Sequence, residues 1–311
     1  MNFAGLEATT FESKLAASFD NPDLTCYAIV DAAQDGTLLQ KFAKESLSTR
    51  SMCLVPAAIE SEMEDYSPHL VALSPLATDS DAWAALLGSG AAHPASFTLL
   101  TSTLDFDELW ANLAEFTEIV LPDETTMIFA FWDPAILGTL VGQKSDKTLH
   151  VSVGVLSERQ RARLLQGVTA WWYWDRDGYP QEIRPVAGPE TAAAHLVSLP
   201  LLLSQVQVDM LVEAGVPDQL LALLHENQPL LLERIPMEQR YRRVEKHLLE
   251  ARRTKLFGMR DILNYTCAAL IYGEAVHSDP EILSLLARVK EGEIAFDDAI
   301  PLFPGREESP W

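Results

Sequence analysis

The sequence contains little cysteine and no spaced set of metal ligands. Its three cysteines, Cys26, Cys53 and Cys267, lie in apolar stretches without a CxxC pattern or a neighbouring histidine. A secreted disulfide framework or a zinc site would need paired or closely spaced cysteines. We therefore expect three buried thiols, a reducing compartment and a cytoplasmic location, with no metal and no other cofactor.

A basic start and a long apolar run are also missing. The first residues, MNFAGLEATTFESK, contain acids and no hydrophobic stretch of the kind that forms a secretion signal. The longest apolar run, residues 195–212, is interrupted by a proline and several polar residues. Such a run is too polar to span a bilayer, so no membrane insertion is expected.

Catalytic motifs are absent from the sequence as well. It has no GxGxxG or GxxxxGK loop for phosphates, no HExxH and no GxSxG. The stretch Asp175-Arg-Asp177-Gly178 starts like a calcium loop but lacks the distal glutamate, and after Trp-Trp-Tyr-Trp it predicts a hairpin turn instead. These absences favour a binding protein over an enzyme, and we predict no catalytic residue.

The charge is large and unevenly distributed. The formal net charge is -22, with 20 acids against four bases in residues 1–125, whereas nine bases lie in residues 234–260. A protein of this charge repels nucleic acids and anionic membranes, so neither is expected as a partner. The basic segment is a candidate surface for an acidic protein, for the acidic half of the chain itself, or simply for solvent.

The hydrophobic patterns change between the two halves of the chain. In the first half the β-rich runs CYAIVDA, HLVAL, SFTLL and MIFAFW alternate with amphipathic helical runs. After about residue 190, helix signals predominate: Ser204 with Gln207 begins a helix that Gly215 ends, and Pro236 begins a basic helix that Gly258 ends. The sequence predicts an α/β N-terminal lobe, a mixed sheet with flanking helices, followed by an all-α C-terminal lobe.

These patterns divide the chain into five parts. Residues 1–23 form an N-terminal extension, and residues 24–150 form the α/β domain. A connecting helix and a tryptophan-rich hairpin occupy residues 151–190, and the helical lobe occupies residues 191–303. The last residues, 304–311, have no periodicity and are predicted to be a mobile tail.

The stretch FAFWDPAIL, residues 129–137, ends an apolar run with an acid and a proline. Aspartate is a favoured helix N-cap and proline suits the first helical position, so Asp133-Pro134 is interpreted as the start of a helix. A lone carboxylate is weak support for acid–base chemistry. The alternative interpretation is an enzyme of unrecognised class in which Asp31 and Asp133, both at predicted strand ends, act as paired carboxylates.

An aromatic run and the basic helix are the candidate partner-binding features. Trp171, Trp172 and Trp174 have the character of interface anchors, although packing in the core or between the lobes is the favoured interpretation. The basic helix contributes six further candidates, which are Arg240, Arg242, Arg243, Lys246, Arg252 and Arg253.

Five segments of the chain occur in an informative order. They are Tyr27-Ala-Ile-Val-Asp31, Ser67-Pro68-His69-Leu70-Val71, residues 107–113, residues 127–137, and residues 156–160 leading to Trp171-Trp172. Over residues 24–175 this order and spacing resemble the effector adaptors of type VI secretion, of the Tap/Tec type, whose α/β domain is labelled a domain of unknown function. That family has Gly-Pro-Tyr-Leu-Val in the second segment and Phe-Arg-Phe-Tyr-Asp-Pro-Arg-Val-Leu in the fourth. The resemblance makes Asp31, Pro68, Asp133 and Pro134 structural motif residues.

The resemblance implies a non-enzymatic function with two protein partners. An adaptor of this family holds a toxin effector in the producing cell and loads it onto the spike protein VgrG, which requires two binding surfaces. The chain departs from the family at residues 112–115, where His-Leu-Arg is frequent, and at Ala130, where arginine is frequent. A further alternative is an immunity-type protein that neutralises a toxin, because acidic charge also suits an inhibitor of a basic toxin.

Overall fold

The chain folds into two compact units, Met1–Ala214 and Gly215–Trp311. The computed structural model describes residues 11, 13–18, 20–74, 81–186, 188 and 192–304, without the side chains of residues 81, 82 and 91. Every strand of this described part lies in the first unit, and the described part of the second unit is helical. The predicted fold class, an α/β lobe followed by an all-α lobe, is confirmed. Of the predicted mobile tail, all but the first residue lies outside the described residues.

A six-stranded antiparallel sheet forms the centre of the first unit. In chain order its strands are β1 (Thr25–Asp31), β2 (Ser48–Cys53), β3 (Pro68–Leu73), β4 (Phe97–Ser102), β7 (Val168–Trp174) and β8 (Pro180–Ile183). Within the sheet they are arranged in the order β2-β3-β1-β4-β7-β8. The register places Asp31 opposite Pro68 and Leu99 opposite Trp172. Distant parts of the sequence therefore meet in neighbouring strands.

Both faces of this sheet are buried. One core contains Trp172 and Trp174 together with helices α1 (Leu38–Lys44) and α2 (Asp81–Ala92). The other core contains Trp171 and Tyr173 together with α3 (Phe106–Ala114), α4 (Pro134–Val141) and α5 (Glu158–Leu164). Successive residues of a strand point to opposite faces, so a sheet covered on both sides needs nearly continuous apolar strands. The apolar runs of the first half of the sequence are explained in this way.

A second sheet gives the unit its mixed strand pairing. It consists of β5 (Glu118–Val120), β6 (Thr126–Ile128) and β9 (Leu201–Leu202), in the order β6-β5-β9. The pair β5–β6 is antiparallel and the pair β5–β9 is parallel.

The strand predicted over MIFAFW is wrong beyond Ile128. Phe131 N donates to Phe129 O, and Asp133 N donates to Ala130 O, so the chain turns here. The turn buries Phe129, Phe131 and Trp132 in the same core. A continued strand would have placed only alternate residues in that core, which is why packing overrides the local preference.

Seven helices follow from residue 205 to residue 299 in the described chain. They are α6 (Gln205–Asn227), α7 (Pro229–Glu233), α8 (Met237–Arg253), α9 (Met259–Tyr272), α10 (Ala275–Ser278), α11 (Pro280–Lys290) and α12 (Phe296–Ala299). The predicted capping pair is confirmed, because Ser204 N donates to Gln207 Oε1 at 3.0 Å. None of the helices in the described residues is long and apolar enough to cross a membrane.

Two predicted helix ends are wrong. Helix α6 does not stop at Gly215 but continues through Pro217, and Val216, Pro217 and Leu220 are buried. Burial of this apolar face offsets the hydrogen bond that proline removes from the helix. The basic helix α8 ends at Arg253, well before Gly258, since Lys255 adopts a left-handed conformation with φ 61° and Gly258 begins α9 instead.

The three cysteines are buried free thiols, as the sequence predicts. Burial raises the pKa of Cys26 to about 12 and the pKa of Cys267 to about 11. The pKa of Cys53 is also raised, chiefly by burial. A thiol with a raised pKa forms little thiolate at neutral pH and is therefore unreactive.

A pair of glycine substitutions tests the packing of the first unit. A Cβ added at Gly138 in α4 would lie 2.5 Å from Tyr173 Oη, and that hydroxyl donates to Asp146 Oδ2 at 2.9 Å. We expect Gly138→Ala to lower the free energy of unfolding by about 1–3 kcal/mol, because the clash disturbs a buried hydrogen bond. A Cβ added at Gly88 in α2 would meet no atom within 4 Å, so Gly88→Ala should raise the free energy of unfolding by about 0.5–1 kcal/mol.

Urea denaturation followed by tryptophan fluorescence measures both effects. Six of the seven tryptophans precede residue 215 and report on the first unit. The Gly88→Ala variant is the matched control, since it makes the same chemical change in a helix of the same unit. Equal stability of the two variants would contradict the packing described around Tyr173.

Candidate functional site

A groove of about 390 Å³ opens beside helix α8 in the second unit. Helix α8 and its basic side chains form one wall, and the other wall comes from the end of α9 and from α10. The lining residues are Gln239, Arg242, Arg243, Lys246, His247, Ala269, Leu270, Gly273, Glu274 and His277. The wall formed by α8 therefore carries three basic side chains, and the opposite wall includes the apolar residues Ala269 and Leu270 and the acid Glu274.

The buried face of α8 determines which of its side chains reach the groove. Tyr241, Val244, Leu248 and Ala251 recur at intervals of three and four residues and are buried. Three of them belong to the core of the second unit. Side chains at this spacing share one helix face, and the exposed residues Arg242, Arg243 and Lys246 lie outside it.

The structure brings together only some of the six basic residues proposed from the sequence. Arg242, Arg243 and Lys246 line the groove and are exposed. Arg240 instead donates from Nε to Ile235 O at 3.1 Å, close to the start of its own helix. Arg252 and Arg253 belong to the last turn of α8 and do not line the groove. All six partner-binding assignments stay predictions.

A carboxylate beside the groove contacts three of its side chains. Glu250 Oε2 lies 2.8 Å from His247 Nδ1 and 3.4 Å from His277 Nε2, and Oε1 lies 3.8 Å from Lys246 Nζ. Sequence reasoning missed this cluster. His247 and Glu250 are three residues apart on a helix, which is a signal for a pair, but no pattern in the sequence connects either residue with His277.

Burial controls the charge of His247. Desolvation lowers its pKa, the hydrogen bond to Glu250 raises it in part, and the charges of Lys246 and His277 lower it further. At neutral pH the imidazole is therefore neutral, and its Nδ1–H donates to Glu250.

The exposed cations of the groove provide sites for a carboxylate or another anion, whereas the lining residues include no nucleophile paired with a base. This arrangement is suited to binding.

The motif residues of the first unit meet at one end of the large sheet. Asp31 lies opposite Pro68 in the register. Its Oδ2 accepts from Trp132 Nε1 at 3.1 Å and its Oδ1 accepts from Ala33 N at 3.0 Å. Burial raises the pKa of Asp31, and these hydrogen bonds oppose the rise. Asp31 thus connects the end of β1 to the segment before α4.

Asp133 is the N-cap of α4, as the sequence predicts. Its Oδ1 accepts from Ala135 N at 2.9 Å, and Pro134 occupies the first helical position. Asp31 and Asp133 therefore both accept hydrogen bonds that organise turns. Within the described residues no group of three or more histidines, cysteines and acids is placed to hold a metal ion. The paired-carboxylate hypothesis stays a prediction.

The three candidate tryptophans are buried in the first unit. The relative exposures of Trp171, Trp172 and Trp174 are 0%, 2% and 3%. Trp171 Nε1 donates to Thr98 Oγ1 at 2.9 Å, and the rings of Trp174 and Phe97 are 5.0 Å apart. All three side chains thus lie in the two cores of the first unit, and their assignment as partner anchors stays a prediction.

The turn predicted after the tryptophan run is confirmed. Strands β7 and β8 form an antiparallel hairpin with Trp174 opposite Pro180. Asp175 Oδ1 accepts from Asp177 N at 3.0 Å and from Tyr179 N at 2.9 Å, and Gly178 has a φ of 79°. The carboxylate that resembled a calcium ligand stabilises the turn in this structure.

The departures from the adaptor pattern at residues 112–115 have an internal role. Arg163 of α5 donates to Asn112 Oδ1 and to Glu115 Oε2, both at 2.7 Å. The Arg163 side chain is 11% exposed. These polar residues thus join α3 to α5 within the unit.

One comparison with known proteins finds a match for less than half of the chain. Residues 26–150 match the model of a family described as a domain of unknown function (DUF4123). This family is known for type VI secretion effector adaptors, or chaperones. The matched range contains β1 to α4 but not β7 and β8, which complete the large sheet. No curated protein and no solved structure matches the chain.

Substitutions of Asp133 separate capping from other roles. We expect Asp133→Ala to lower the free energy of unfolding of the first unit by about 1 kcal/mol, because the Ala135 amide loses its acceptor. Asp133→Asn should remain close to the wild type, since asparagine caps equally well. Urea denaturation with tryptophan fluorescence measures both variants. A large loss with Asn would show that the negative charge, not the cap, matters at this position.

The lowered pKa of His247 makes the stability of the second unit depend on pH. The unfolded chain protonates this histidine near its ordinary pKa of 6.5, and the folded chain does so at lower pH. Between these two values the unfolded state binds more protons, so stability falls as the pH decreases. His247→Gln removes this contribution, and its stability should fall less steeply between about pH 7 and pH 5.

Chemical denaturation followed by circular dichroism at several pH values checks this difference. His225→Gln is the matched control, because His225 is exposed on α6 in the same unit. The control should retain the pH dependence of the wild type. The same slope for His247→Gln and wild type would overturn the assignment.

Proposed function

We propose that this protein is a non-enzymatic adaptor of the Tap/Tec type, which binds a toxin effector and loads it onto the VgrG spike of a type VI secretion system. The observation that carries the proposal is the match of residues 26–150 to a family known for such adaptors. Loading takes place in the cytoplasm of the producing cell, before the apparatus fires.

The groove beside α8 is the proposed effector site. Arg242, Arg243 and Lys246 provide exposed cations in a chain whose net charge is -22. An acidic segment of the effector would find here a local charge opposite to that of the rest of the protein. Ala269 and Leu270 provide apolar contact for the same segment. Charge complementarity of this kind gives a binding site orientation and specificity.

The first unit is the proposed surface for the second partner. Three of its four N-terminal bases are paired with acids of the same unit. Lys41 lies 3.6 Å from Asp35, Arg50 lies 2.7 Å from Asp107, and Lys14 lies 2.5 Å from Glu182. The remaining acids in residues 1–125 keep this unit strongly negative. Two units of different local charge can bind two partners at once, as an adaptor requires.

A tagged pull-down from the bacterium that encodes the protein, analysed by mass spectrometry at moderate salt, tests the proposal. An adaptor recovers a VgrG-type spike together with a large toxin, and its deletion stops export of that toxin alone. Recovery of the toxin without the spike would favour the immunity-type alternative, because an inhibitor has no reason to contact the spike. Recovery of neither would return attention to Asp31 and Asp133 as an enzyme site.

Charge reversal in the groove should weaken effector binding. We expect Arg243→Glu and Lys246→Glu each to reduce affinity for the purified effector by about tenfold, because each change places a negative charge beside an acidic ligand. Isothermal titration calorimetry measures the affinity. Arg234→Glu is the matched control, since Arg234 is exposed in the same unit but does not line the groove. Equal affinity of groove and control variants would rule out this site.

A further inference from the structure

Strand β6 is the outer strand of the small sheet, and its free edge faces solvent. It pairs with β5 on one side, and no strand of the described chain pairs with its other side. All three of its residues are exposed, including Met127 at 48% and Ile128 at 60%. An open strand edge with apolar side chains is a template for another extended segment.

The hydrogen-bond register shows which backbone groups are available on this edge. Phe129 N donates to Thr117 O, and Leu121 N donates to Thr125 O. In an antiparallel pair the bonded positions alternate, so the backbone N–H and C=O groups of Met127 point towards Ile119 of β5. The N–H and C=O groups of Thr126 and Ile128 therefore point away from the sheet. These two residues therefore provide two N–H donors and two C=O acceptors to which a partner strand can bind.

Both edge strands of the large sheet have features that hinder the addition of another strand, and β6 lacks these features. On β2 the register shifts between Ser48 and Arg50, and a bulge of this kind discourages strand addition. On β8, Pro180 has no N–H to offer, and Gln143 Nε2 donates to Glu182 O at 2.9 Å. Strand β6 contains no proline, and residues 51–143 include no lysine and no arginine.

The surroundings of β6 indicate the chemistry of its partner. Glu118 lies opposite Ile128, and Asp123 and Glu124 lie in the turn that connects β5 to β6, all three exposed. We propose that the β6 edge binds an extended protein segment by strand addition, and that this segment carries basic residues alternating with apolar ones. Main-chain bonds to Thr126 and Ile128 hold the segment, and the acids attract its charge. A second copy of this chain does not fit, because two such edges would repel each other.

The partner that provides this segment is the spike. This choice rests on the proposed function, in which an acidic effector segment occupies the basic groove beside α8. The β6 edge selects the opposite charge, so it serves the other partner. The two sites then discriminate between partners by the sign of their charge.

The first experiment uses the wild-type protein and a synthetic probe. The probe is a capped seven-residue peptide of alternating lysine and valine, and amide hydrogen exchange is followed by NMR. Saturating peptide should slow exchange of the Thr126 and Ile128 amides by at least about tenfold, while Met127, already bonded to β5, changes little. The same peptide N-methylated at every residue keeps its charge but cannot pair through either edge, so it should give no protection. Absence of protection, or equal protection by both peptides, overturns strand addition.

The second experiment tests the choice of partner. Ile128→Pro removes one outward N–H without removing a bond to β5, and Ile128→Val retains the N–H as a matched control. The proline variant should lose at least about tenfold in affinity for the purified spike and none for the purified effector. Unchanged spike affinity overturns the inference while leaving the proposed function intact. If the wild type binds neither purified partner, the proposed function and the choice of the spike both fall, and the peptide experiment still decides the edge.

Discussion

Burial of both faces of the antiparallel sheet is the constraint on which the first unit depends. Antiparallel sheets frequently leave one face in water, whereas here the alternating residues of β7 fill two separate cores. Each core needs its own layer of helices. The unit therefore needs α1 and α2 on one face of the sheet and α3 to α5 on the other. Strand β7 comes from residues outside the matched range 26–150. The matched segment is therefore part of a larger folding unit, which needs β7 for both of its cores.

The parts of the fold that were predictable from the sequence depend on local chemistry. Asp133-Pro134 begins α4 and Asp279-Pro280 begins α11, because a carboxylate satisfies the free amides of a first turn wherever it occurs. The same holds for the turn at Asp175. The parts that were not predictable depend on packing between distant residues. Pro217 remains inside α6 because its neighbours are buried, and no local signal reports that burial.

The candidate sites divide in the same way. Composition alone indicated a basic helix, but the face of α8 that meets solvent depends on the core to which Val244 and Leu248 belong. The contact of Glu250 with His277 joins separate helices and has no counterpart in a sequence pattern. The open edge of β6 is still harder to predict, since the run MIFAFW has the composition of a buried strand. Exposure of such a strand follows only from the absence of a covering element among the described residues.

Burial of all three cysteine thiols has a practical consequence for studying this molecule. Thiol-specific dyes react with thiolates, and the native thiols are both shielded and held in their protonated form. The wild-type protein is thus already a cysteine-silent background for labelling. A cysteine introduced on the exposed surface of either unit would be the one site that takes up a dye. Fluorescence from that dye would report the arrival of a partner on one unit at a time, with the native sequence otherwise intact.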